Sequence, residues 1–204
     1  MKVELHLHTS RYSLCGRDTV YAMLAAAVKQ GYDAVYLTEH DKMWQDYELE
    51  MLRADFPQLM ILPGVELSLG DDGGMHLLLL GTNDPKYLKP DLEPSAIIAM
   101  AHEAGHFTAL AHPFRWSDRP ELLDGDILPD ALEHRSRNHD QAMAEKTIEA
   151  AEKLHLPIIN ADDAHSTGDV GRFWIETDRP IEKPEDIRDI IIAGEYENRG
   201  KAGF

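Results

Sequence analysis

The sequence is poor in cysteine, in basic residues and in long apolar runs, and each shortage excludes something. Cys15 is the one cysteine in 204 residues, which rules out an intrachain disulfide and a cysteine-based zinc cluster. Lys and Arg number 20 against 37 Asp and Glu, a net charge of −17 with histidine neutral. A surface that acidic repels a phosphate backbone, so duplex nucleic acid is not expected as a partner. No stretch is long and apolar enough to span a bilayer, and the first residues lack the basic and apolar regions of a signal peptide. A cytoplasmic location without membrane partners is therefore expected. Repeats, low-complexity tracts and linkers are also missing, and the length suits a single domain over residues 1–204.

What the sequence has in quantity is histidine, 11 in all, which suggests metal chemistry. Two of them, His6 and His8, stand two residues apart in a short apolar run. In a β-strand such residues share one side and could grip one ion. Asp163-Ala164-His165 repeats the spacing far along the chain.

Apolar periodicity predicts strands alternating with helices. Strands are expected at Val3–His6, Ala34–Thr38, Met60–Leu62 leading to Glu66, Met75–Leu80, Phe107–Ala111, Ala131–Glu133 and Pro157–Ala161. Helices are expected at Thr19–Gln30 (capped by Asp18 and ended by Gly31), Trp44–Ala54, Glu93–Ala104, Asp140–Leu154 and Pro184–Ala193. Asp71-Asp72-Gly73-Gly74 reads as a turn and 115–130 as a loop. The alternation implies a mostly parallel sheet, and the strand count suits a closed or nearly closed barrel.

Chemistry collects at the strand ends. His6 and His8 follow the first strand, His40 the second and Glu66 the third, while His76 opens the fourth. His112 follows the fifth, Glu133 lies in the sixth, and Asp163 and His165 follow the seventh. In parallel α/β barrels these ends converge on one face. Imidazole and carboxylate without thiolate select Zn, Mn or Fe, with Mg disfavoured, and the donors are enough for two or three divalent ions. Glu66 is placed to bridge two of them. A pair of such ions suits phosphate-ester hydrolysis by an activated water.

His6-Leu7-His8-Thr9, Thr38-Glu39-His40-Asp41, Pro63-Gly64-Val65-Glu66, Ala111-His112-Pro113 and Asp163-Ala164-His165 stand in the order and spacing of one family. From residue 2 to about 195 the chain resembles the polymerase and histidinol phosphatase (PHP) superfamily. The resemblance implies a distorted (β/α)7 TIM-like barrel, a trinuclear metal centre and phosphoesterase activity. By motif, it assigns His6, His8, Glu66 and Asp163 to a first metal. Glu66, His76 and His112 go to a second, and His40 and His165 to a third. The chain departs from the pattern at Ser10–Gly16, where a further His or Asp ligand is usual and Cys15 alone could ligate. The third site is then weak, empty, or filled only with substrate. Cys15 is expected instead to be a small buried residue.

Three arginines are candidates for binding a substrate phosphate: Arg115, three residues after His112, with Arg11 and Arg172. His40 or His165, where not held by metal, could protonate a leaving group, which makes them, with Glu66, the candidate catalytic residues. Asp162, Asp41 and Glu39 are expected to orient ligands by accepting their N–H protons, with Glu133 nearby as a weaker ligand candidate. His102-Glu103-Ala104-Gly105-His106 matches a zinc-protease spacing, but Gly105 should end the helix that motif requires. His134, His139 and His155 read as surface residues. The expected substrate is a small phosphorylated metabolite or nucleotide. A carboxylic ester, amide or lactone, cleaved as in amidohydrolases, is the rival reading, and a non-catalytic metal-binding module a third. Oligomeric state is not legible in the sequence.

Overall fold

The computed structural model describes residues 1–70 and 73–201. Its strands are β1 (Lys2–Leu7), β2 (Ala34–Leu37), β3 (Met60–Leu69), β4 (Met75–Leu80), β5 (Phe107–Ala111), β6 (Ala131–Arg135), β7 (Ile158–Asn160), β8 (Phe173–Thr177) and β9 (Tyr196–Gly200). They form one sheet in the order β7-β6-β5-β4-β3-β2-β1-β8-β9. The sheet curls into a nearly closed barrel. At one rim the segment after β7 bridges in parallel to β1, Leu7 opposite Ala164, with His8 N–H donating to the Ala164 carbonyl at 2.9 Å. At the other rim β8 and β9 wedge into the gap. Asn160 N–H donates to Asn198 Oδ1 at 2.6 Å, and Tyr196 Oη–H to the Ile158 carbonyl at 2.7 Å. The first seven strands are thus the expected barrel, and β8 and β9 were not anticipated.

The sheet is also less parallel than expected. β1–β2, β2–β3, β5–β6 and β6–β7 are parallel, whereas β4 runs antiparallel to both neighbours. This reversal has a functional consequence. The start of β4 comes to the rim where β3 and β5 end, so His76 sits opposite Ser68 and Ala111. The expected turn at Asp71–Gly74 falls partly outside the described residues.

The helices are α1 (Val20–Lys29), α2 (Asp46–Asp55), α3 (Pro94–Ala104), α4 (Gln141–Leu154) and α5 (Asp186–Ile192). Asp140 caps α4 by accepting from Met143 N–H at 2.8 Å. Thr19, not Asp18, caps α1, accepting from Ala22 N–H at 3.3 Å. Asp18 instead accepts from Thr167 N–H at 2.7 Å and ties the loop after β1 to the loop after β7.

Residues from β1 through β8, among them Leu5, Tyr36, Leu78 and Phe107, pack with Ile187, Ile190 and Ile191 of α5 inside the barrel. α1 and α2 cover the outside over β1–β3, and α3 and α4 cover β3–β6. No helix among the described residues is long and apolar enough to cross a membrane.

Gly64 is required where β2, β3 and β4 are pressed together. A Cβ there would lie 2.9 Å from Leu80 Cδ2 and 3.1 Å from Thr38 Cγ2. Gly64→Ala should cost about 1–3 kcal/mol of stability by overpacking, read as a lower urea midpoint. An unchanged midpoint would contradict the packing described.

Candidate metal centre

Strand register builds the site. The Leu7–Ala164 bridge lays His6 and His8 beside Asp163 and His165, and a second parallel bridge sets His40 against Glu66. His112 and Asp163 turn off their strands at φ 30° and 49°, left-handed values that cost a non-glycine residue roughly 1–2 kcal/mol. Such strain at two candidate ligands, held in place by the surrounding fold, accords with a functional site.

Glu66 lies at the middle, and its two oxygens face different partners. Oε2 faces His6 Nε2 at 3.0 Å, His8 Nε2 at 3.0 Å and His40 Nδ1 at 3.2 Å. Oε1 faces His76 Nδ1 at 2.7 Å and His112 Nε2 at 3.1 Å. Asp163 Oδ1 completes the first group, 3.4 Å from His6 Nε2 and 3.3 Å from His8 Nε2. His8, His40 and His165 make a further set whose donor atoms lie within 4.8 Å of one another. The eight residues expected as ligands are therefore brought together.

Hydrogen bonds fix which nitrogens are bare. Ser13 Oγ–H donates to Glu39 Oε2 at 2.5 Å. Its lone pairs then receive His40 N–H at 3.0 Å and His8 Nδ1–H at 3.2 Å, which fills a hydroxyl's capacity. His6 Nδ1–H likewise donates to Glu133 Oε1 at 2.8 Å, and His165 Nδ1–H to the Asp163 carbonyl at 2.9 Å. In each ring Nε2 is left with its lone pair outward. His6 Nε2, His8 Nε2, Glu66 Oε2 and Asp163 Oδ1 are all buried and have no hydrogen-bond partner. Four acceptors facing one another in a dry site repel unless a cation lies among them. Ligands held about 2.0–2.2 Å from one ion stand roughly 3.0–3.6 Å apart, as these do. The donor set fits a divalent metal.

Several expected supporting roles differ. Glu39 does not accept from a ligand ring. It holds the turn after His8 through Thr9 N–H at 3.0 Å, the Thr9 hydroxyl, Ser13 and Trp44 Nε1–H at 3.2 Å. Asp41 binds Ser68 N–H at 2.8 Å instead. Asp162 accepts from Gly171, Arg172 and Phe173 N–H and from Tyr32 Oη–H, pinning the loop before β8. Glu133 is the residue that orients a ligand ring, and it also accepts His112 N–H at 2.9 Å. Sequence reasoning missed Glu4, whose Oε1 accepts His6 N–H at 2.8 Å and Asp162 N–H at 3.0 Å. It also missed Ser13, Asn138 and Gly16. Asn138 Nδ2–H donates to Asp163 Oδ2. A Cβ on Gly16 would overlap the Thr9 carbonyl, so the loop closes over the ligand strand only with glycine there. Cys15 is exposed, not buried. His139 is not a surface residue: its side chain is fully buried beside Glu133 and Ser136, and burial lowers its pKa to about 4.

Arg11 pairs with Glu48 at 3.3 Å, and Arg172 with Asp169 at 3.0 Å. Arg115 has no carboxylate partner among the described residues, and its guanidinium lies 4.4 Å from the Trp116 ring centroid. Trp116, also missed, touches His76 and His112 with centroids 4.8 and 4.9 Å away.

Burial opposes charge on His6 and His8, but the Asp163 and Glu66 carboxylates outweigh it. His6 is raised well above its ordinary value, and His8 goes from 6.5 to about 8. Burial would raise Glu66 and Asp163, yet the histidines hold both well down. The metal-free centre is thus held together by protons that a metal must displace. Because the His8 value is raised, its pairing contributes fully below 6.5 and is lost as pH climbs through about 8. Metal-free protein should therefore lose thermal stability over that window while zinc affinity rises. Calorimetry in buffers of different ionisation enthalpy should find protons released on zinc binding at pH 7. Binding without proton release would contradict this electrostatic account.

The family described as PHP-associated matches residues 144–196. No curated protein matches the chain. Among solved structures, a two-domain protein from Bacteroides vulgatus containing a predicted PHP-like metal-dependent phosphoesterase is similar at 14% identity and TM-score 0.73. The likeness covers 98% of this chain and 64% of that one, so the chain spans less than two thirds of that protein. PsfC from Pseudomonas syringae is 19% identical at TM-score 0.65, covering 98% of this chain and 91% of its own. An amidohydrolase from Chromobacterium violaceum, with bound sulfate and no metal, is 17% identical at TM-score 0.68, with all of both chains covered. At these identities the likeness establishes the fold. The chain thus carries a segment similar to the PHP-associated family at residues 144–196, on a fold it shares with a PHP-like protein.

Proposed function

We propose that the chain is a metal-dependent phosphoesterase acting on a small phosphorylated compound. The observation that carries this reading is the group of four buried, unpartnered acceptors, joined through Glu66 to His76 and His112. When bound, divalent ions at such a centre lower the pKa of a water and neutralise charge on the phosphoryl oxygens. The ligands are His6, His8, Glu66 and Asp163 in one position and Glu66, His76 and His112 in a second. His40 and His165, with His8, supply a third. The name of the Bacteroides relative supports the reaction class.

The remaining roles fall to the chain's own groups. No protein nucleophile is used. The Ser13 proton is committed to Glu39, and desolvation with the nearby Glu66, Asp163 and Glu39 carboxylates keeps Cys15 a thiol. Burial, outweighing Glu66, lowers His40 to about 4, and burial lowers His165 as well. Both therefore favour the neutral form that can bind metal or accept a proton. Arg115, free of a carboxylate partner among the described residues and beside Trp116, is the arginine we assign to the phosphate.

Hydrolysis of a carboxylic ester or amide is the second reading, favoured by the Chromobacterium relative's name. It expects a carbamylated lysine as the bridge. The sequence offers Glu66 instead, and no lysine at a matching strand end. With Mn or Zn, the purified protein should hydrolyse p-nitrophenyl phosphate and at least one member of a phosphorylated-metabolite panel, and chelation should abolish it. Arg115→Ala should lower kcat/KM roughly 10- to 100-fold, chiefly through KM. Absence of turnover with metal bound and the fold intact would overturn the proposal.

A further inference from the structure

We propose that Trp116 is a stacking platform for the substrate's alcohol, so that the centre favours phosphate esters whose alcohol carries a planar aromatic ring. The inference rests on the phosphoesterase reading and narrows its substrate class. Of the tryptophans, Trp44 is 4% exposed and Trp116 is 49% exposed, although Trp116 lies against the candidate ligands. Its ring meets His76 tilted at 53° and His112 edge-on at 86°, which fixes it between the two imidazoles that face Glu66 Oε1. About half of the residue stays exposed, at 49%, and it lines a cleft. Exposed indole has a solvation cost, and the part of its surface that faces the cleft suits an apolar, flat occupant.

Position decides which part of a substrate arrives there. A phosphate bound beside His76 and His112 would lie within one ring's reach of Trp116, since both imidazole centroids are within 5 Å of its own. The ester oxygen and the first atoms of the alcohol then leave the centre past the indole. The Arg115 guanidinium 4.4 Å from the same ring adds a cation beside the aromatic surface. Beyond it lies a cleft of about 380 Å³ lined by Met75, Trp116, Ser117, Arg119 and Pro120. That volume lies within the range of about 300–1,000 Å³ usual for small-molecule sites. Anion contacts, then an aromatic face, then open space make the order that an aryl or nucleobase-bearing phosphate would require.

The alternative is that Trp116 only shields the histidines, which would affect all esters alike. Phenyl and cyclohexyl phosphate, equal in size but different in flatness, separate the two. Stacking of this kind corresponds to about a tenfold difference. Trp116→Leu should lower kcat/KM about that much for phenyl phosphate and less than about twofold for cyclohexyl phosphate, with Trp116→Phe retaining most activity on both. Phenylphosphonate, which is not hydrolysed, should quench the tryptophan emission of the zinc-loaded wild-type protein at lower concentration than cyclohexylphosphonate does. Equal losses on the two esters, or equal binding of the two phosphonates by the wild type, would overturn the proposal, and the second needs no variant to fold. Selective binding of phenylphosphonate without turnover of either ester would uphold the platform while removing the phosphoesterase reading.

Discussion

Four lone pairs aimed at one point govern this molecule. His6 Nε2, His8 Nε2, Glu66 Oε2 and Asp163 Oδ1 lie in a buried site, none with a hydrogen bond to relieve it. Nothing in the chain's own chemistry neutralises that arrangement except protons, and the raised His6 and His8 values report the same demand in another form. The surrounding hydrogen bonds hold the lone pairs in place. Glu39 takes the Ser13 proton, which obliges the His8 ring to donate through Nδ1, and Glu133 obliges His6 to do the same. Glu133 by direct contact, and Glu39 through Ser13 without touching a ligand ring, thus decide how a ligand presents itself.

The barrel matters because it converts sequence spacing into spatial register. Leu7 opposite Ala164 joins the first strand to the segment after the seventh, and that pairing brings His6 and His8 together with Asp163 and His165, separated by most of the chain. The reversed β4 serves the same end. Were it parallel, His76 would open at the far rim, and Glu66 Oε1 would lose its 2.7 Å partner. Glu66 itself can face two sets of donors because β3 runs unbroken from Met60 to Leu69, past the point where the expected strand stopped.

Much of this was legible in the sequence, and the reasons are physical. Phe107–Ala111 is an uninterrupted buried strand bounded by Gly105 and His112-Pro113, and Asp140 announces α4 as a cap should. The ligand residues were readable because histidines and carboxylates recur at strand ends, where apolar runs stop. β9 was not readable. Tyr196–Gly200 is short, charged and mostly solvent-facing, with no apolar alternation. The direction of β4 did leave a trace, since a glycine-rich turn between two apolar runs is a hairpin signal. Ser13, Glu4 and Asn138 left none, because each acquires its role through a partner distant in sequence, and Trp116, although four residues from His112, sits in a loop with no periodicity to aim it. His139 was misread because a lone histidine in a polar loop carries no mark of burial.

The most direct test of the central claim is anomalous diffraction from crystals grown with manganese or zinc. The account predicts a peak about 2.0–2.3 Å from His6 Nε2, His8 Nε2, Glu66 Oε2 and Asp163 Oδ1 together, and a second beside Glu66 Oε1 with His76 and His112. Crystals that take up no metal there, with His6 and His8 hydrogen-bonded directly to the two carboxylates at full occupancy, would contradict it.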